Sequence, residues 1–71
     1  MDIVKLRETD DYIKLGQALK KAGYEESGAD AKEDIQAGLV KVNGEVDTRR
    51  GKKLVPGDVV EYRGRSFKVE R

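Results

Sequence analysis

Arg49, Arg50, Lys52 and Lys53 bracket a glycine, Gly51, shortly after the pair Asn43-Gly44. Guanidinium forks grip phosphate oxygens in pairs, ammonium groups act as point charges, and a glycine lets the backbone bend along a run of phosphates. With Lys41, segment 39–57 holds five of the 15 basic residues against two acids, a local charge of +3 in a chain whose net charge is +1. The remainder offsets it, with −2 over residues 1–11, −1 over 12–38 and +1 over 58–71. A patch of this kind presents several kT of potential to a phosphate backbone even when the whole protein is nearly neutral. The chemistry it favours is recognition of a polyanion.

Catalysis has little to build on. Histidine and cysteine are both absent, which removes the commonest general base, the thiol nucleophile, any disulfide and any cysteine-based zinc site. The adjacent carboxylates Asp10-Asp11, Glu25-Glu26 and Glu33-Asp34 project to different faces of a helix or strand, with no nucleophile or base beside them. RRGKKL lacks the spacing and the following Ser or Thr of a Walker phosphate loop. No apolar run is long enough to span a membrane, and the lack of a secretory stretch in a cysteine-free chain points to the cytoplasm. The expectation is a cytoplasmic protein that is not an enzyme and needs no cofactor or metal.

The elements that must position the basic residues follow from periodicity. At 71 residues the chain is expected to be one domain, since a core this small buries only roughly 60% of the surface of the unfolded chain. Ile3–Leu6 suits an edge strand, broken by the turn and cap chemistry of residues 8–11. Leu15, Ala18, Leu19 and Ala22 fall at helical spacing and predict a first helix over about 14–22, stopped by Gly23. Ser27 is placed as an N-cap for a second helix over about 29–37, with Ala31, Ile35 and Leu39 as its apolar stripe and Gly38 as its terminator. Each stripe is narrow, so the helices must pack on each other and on a sheet.

Beyond Gly38 the period becomes two. Asn43-Gly44 tolerates the positive φ angles of a type I′ turn, returning the chain through Glu45-Val46, and Val55-Pro56-Gly57-Asp58 reads as a type II turn. For the last hairpin, a loop at Gly64-Arg65 would pair Tyr62 with Phe67, Val60 with Val69 and Glu61 with Lys68. Tyr62 and Phe67 are then core residues, and nothing assigns Tyr12 or Tyr24. The expected class is α+β, with two short packed helices on a small antiparallel sheet.

YIKLGQALKKAG, SGADAKEDIQAGLVKVNGEV and RRGKKLVPGDVVEY, in that order and spacing, resemble the RNA-binding domain named for ribosomal protein S4. The resemblance covers about residues 12–62. It implies a helix pair on a small antiparallel sheet whose basic face docks on structured RNA such as ribosomal or transfer RNA. The expected role is that of a monomer in ribosome assembly or translation, in contact with ribosomal particles. Mapped onto this chain, the surface would use Lys14 at the start of helix one and Lys32 near the start of helix two. It would continue through Lys41, Asn43, Arg49, Arg50, Lys52 and Lys53. The chain departs from the family pattern at Gly28, where many members carry arginine, and in the acids Asp30, Glu33 and Asp34 of helix two.

A protein-docking module is the alternative, using the acidic helical residues Glu25, Glu26, Glu33 and Asp34 to bind a basic partner such as a ribosomal protein. The two differ in which face carries the interaction.

Overall fold

The computed structural model describes residues 1–26 and 28–71. A five-stranded sheet in the order β1-β7-β6-β3-β4 is formed by β1 (Asp2–Lys5), β3 (Val40–Val42), β4 (Glu45–Val46), β6 (Val59–Tyr62) and β7 (Arg65–Glu70). Helices α1 (Leu15–Lys21) and α2 (Gly28–Gln36) pack against each other, and a separate two-stranded ribbon joins β2 (Ile13–Lys14) to β5 (Lys53–Leu54). The expected α+β architecture is present. The sheet is mixed rather than wholly antiparallel, because the edge strand β1 runs parallel to β7. Ser27 lies outside the described residues.

Leu15, Ala18 and Leu19 of α1 and Ala31 and Ile35 of α2 are fully buried against Val4, Val40, Val60, Phe67 and Val69 from one face of the sheet. Burying a side chain such as Phe67 or Leu19 is worth about 1.5–3 kcal/mol, so these narrow stripes account for why neither helix stands alone. Leu39 departs from the expected stripe and is half exposed. Gly38 takes φ +80°, and the N–H of Leu39 donates to the carbonyl of Asp34, so the chain turns out of the helix before Leu39 can reach the core.

Both predicted tight turns form. Asn43 and Gly44 have φ of 52° and 85°, with Val42 opposite Glu45, and Gly57 has φ 100° with Asp58 N–H donating to Val55 O at 3.0 Å. The last hairpin differs from expectation. Its loop is Arg63-Gly64, with φ of 50° and 76°, which pairs Tyr62 with Arg65 and Val60 with Phe67. Both central residues of a type I′ turn need positive φ, and glycine at the second position meets that requirement. Tyr62 and Phe67 are buried as expected, but they do not face each other.

Candidate nucleic-acid interface

The first N–H groups of a helix have no partner inside it. In α1 two of them are satisfied by the basic loop: Leu15 N–H donates to Lys52 O at 2.8 Å and Gly16 N–H to Arg50 O at 3.1 Å. The β2–β5 ribbon continues this seam and sets Lys14 directly opposite Lys53. Lys14 is thus not the first residue of helix one but the extended residue before it, with ψ 145°. Gly16 allows the close approach, and a Cβ in its place would come within 2.8 Å of Arg50 Cγ.

Around this seam Lys14, Lys20 and Arg50 line an open cleft of about 400 Å³, together with Gly16, Gln17 and Gly51. Among the described residues no carboxylate contributes to its walls and none of the three cations makes an ion pair. Lys53, on the same ribbon, extends the positive surface. Gln17 and Lys20 were not foreseen as site residues, although they stand at i and i+3 of the predicted first helix, off its apolar stripe. Gly16, an isolated glycine inside a helical pattern, was the available sign of a close backbone approach.

The other expected site residues lie elsewhere. Arg49 turns back onto Asp47. Its Nε–H donates to Asp47 Oδ1 at 3.1 Å, its Nη2–H to Oδ2 at 2.8 Å, and its backbone N–H to Oδ1 at 2.9 Å. These bonds, with the Arg49 charge, outweigh burial and hold the Asp47 carboxyl below its ordinary range. Arg49 thereby shapes the loop as much as it charges it. With Lys52 and Asn43 it borders a second cleft that also contains Glu45 and Asp47.

Asn43 is engaged on both sides of its amide. Its Nδ2 donates to Asp58 Oδ1 at 3.1 Å, and its Oδ1 accepts the N–H of Val59 at 2.9 Å, tying the β3–β4 turn to β6. Lys41 sits on the outer face of the sheet, opposite Glu61 and Val46. Lys32 is exposed on α2 and lines none of these clefts.

The acidic side is largely occupied with the fold. Glu25 is buried and Asp34 half buried, and Tyr62 donates its hydroxyl to Asp34 Oδ2. Burial, and then the hydrogen bond and charge of Asp34, push the Glu25 carboxyl up, while the Tyr62 hydroxyl holds Asp34 down. Two of the four acids proposed for protein docking are therefore not displayed as a charged surface.

The family model for the S4 domain matches residues 4–70. The chain is 45% identical over 58 residues to YbcJ of Escherichia coli (strain K12), covering 82% of this chain and 83% of YbcJ. It is 50% identical over 60 residues to RlbA of Bacillus subtilis (strain 168), named a probable ribosome maturation protein, covering 83% of this chain and 84% of RlbA. The solution structure of YbcJ, described as revealing an αL motif involved in RNA-binding, aligns with a TM-score of 0.76 at 39% identity, over 100% of this chain and 89% of that one.

Proposed function

The chain belongs to the S4 domain family, and from that premise we propose that it is a single RNA-binding domain that acts by docking rather than by catalysis. The observation that carries this reading is the seam between α1 and the basic loop, which gathers Lys14, Lys20 and Arg50 around a cleft without carboxylates. Three cations on a helix start and a loop that backbone hydrogen bonds join suit a fixed array of phosphates, and so a folded RNA more than a flexible strand. Structured RNA of the ribosome or of transfer RNA is the target class. A role in ribosome assembly or translation in the cytoplasm is supported by the likeness to a protein named for ribosome maturation.

The protein-docking alternative gains no support from the internal use of Glu25 and Asp34. Purification from cells with and without ribonuclease tests the choice. Partners that depart on ribonuclease treatment support RNA docking, whereas protein partners retained after it would replace this reading with the alternative.

A further inference from the structure

The four aromatic residues are used unequally. Phe67 is wholly buried, Tyr24 packs edge-on against it at 5.6 Å and donates its hydroxyl toward Asp2 and Ser66, and Tyr62 is buried with its hydroxyl on Asp34. Tyr12 differs from all three. It is 40% exposed, and among the described residues its hydroxyl has no hydrogen-bond partner.

Its placement is specific. Ile13 turns inward to pack on the core, so its neighbours Tyr12 and Lys14 project outward from the ribbon, and Lys14 is opposite Lys53. The Lys53 ammonium lies over the Tyr12 ring at 4.9 Å from its centroid. An open cleft of about 650 Å³ adjoins the ring, bordered also by Lys14, Gln17 and Lys21. The acids on that side face arginines, Asp10 with Arg7 at 2.9 Å and Asp11 with Arg71 at 3.8 Å.

Resting on the RNA-docking reading, we propose that Tyr12 is a stacking platform for one unpaired nucleobase of the bound RNA, with Lys14 and Lys53 holding the phosphates that flank it. An exposed ammonium over a ring is held more weakly than a base stacked on one, so an incoming base displaces Lys53 toward the phosphate beside it. A fully paired duplex keeps its bases stacked internally and cannot use the platform. The site therefore selects a bulge, loop or end within a structured RNA.

The test uses two RNAs of equal length, a perfect duplex and the same duplex with a three-nucleotide bulge. Because the chain has no tryptophan, Tyr12→Trp places a single indole at the platform. Quenching of its emission by the bulged RNA, and much less by the duplex, is expected. Tyr12→Leu should lower affinity for the bulged RNA about tenfold and for the duplex less than about twofold, while Tyr12→Phe retains both. Equal losses on the two RNAs, or unquenched tryptophan in a protein that still binds RNA, would overturn the platform and leave the docking reading intact. Wild-type protein that binds neither RNA would overturn both.

Discussion

The Arg50 side chain lies across Gly16 so closely that a Cβ on that glycine would fall 2.8 Å from Arg50 Cγ, while the Gly16 N–H donates to the Arg50 carbonyl. Helix start and basic loop are therefore one structural unit, and the position of a charge depends on the absence of a methyl group.

Gly16→Ala is expected to weaken RNA binding several-fold, because Cγ is near the root of the side chain and Arg50 must swing away. Stability should change little, since the helix gains about 0.8–1 kcal/mol from alanine and loses a comparable amount to the displaced contact. RNA titration beside thermal unfolding checks this. Unchanged affinity would show that Arg50 need not occupy its observed place.

Adjacent arginines should behave differently. Arg50→Ala is expected to cost about 1.5–3 kcal/mol of RNA affinity with stability within about 0.5 kcal/mol of wild type. Arg49→Ala should instead lower stability at neutral pH, because Asp47, whose carboxyl is held low mainly by Arg49 hydrogen bonds, loses its partner. A depressed carboxyl contributes stability above its unfolded pKa of about 4 and loses it as pH falls through the folded value. The stability deficit of Arg49→Ala should thus shrink on acidification, as unfolding at a series of pH values would show.

Glu25 carries the opposite sign. Its carboxyl is raised, first by burial and then by Asp34, and among the described residues its Oε1 has no hydrogen-bond partner. A raised carboxyl is most favourable below its unfolded pKa of about 4.3, and that contribution is lost as pH rises through the folded value. Glu25→Gln removes the buried charge and should be more stable than wild type at neutral pH by up to about 1 kcal/mol, the gain closing as pH approaches 4. A variant less stable than wild type at neutral pH would contradict this account of the pair.

Much of the frame was legible because particular residues admit few conformations. Asn43-Gly44 dictated its turn through two positive φ angles and Pro56-Gly57 through the fixed negative φ of proline followed by positive φ at Gly57, and the apolar spacing of Leu15, Leu19, Ala31 and Ile35 marked the buried faces. The last hairpin was misregistered for a definite reason. Moving its loop by one residue slides the pairing by two, so Val60, Tyr62, Phe67 and Val69 keep the same face and apolar pattern alone cannot separate the registers. Turn chemistry at Arg63-Gly64 decides it.

The β1–β7 and β2–β5 pairs join short segments far apart in the chain, leaving no local signal. For that reason residue spacing alone did not bring Lys14, Arg50 and Lys53 together, and it was the family resemblance that placed them on one surface. The tethering of Asn43 to Asp58 and the isolation of Lys41 on the outer face were equally hidden.

The central claim is that a fixed basic face reads the phosphates of a folded RNA, and the salt dependence of binding tests it most directly. With four to six contacts drawn from Lys14, Lys20, Arg50, Lys52, Lys53 and their neighbours, log K against log[salt] should fall with a slope between roughly −3 and −5. The same titration with Arg50→Glu and Lys53→Glu combined should show a shallower slope and a large loss of affinity, in a protein that unfolds at the wild-type temperature. A slope near zero, or full RNA affinity in the charge-reversed protein, would contradict the account.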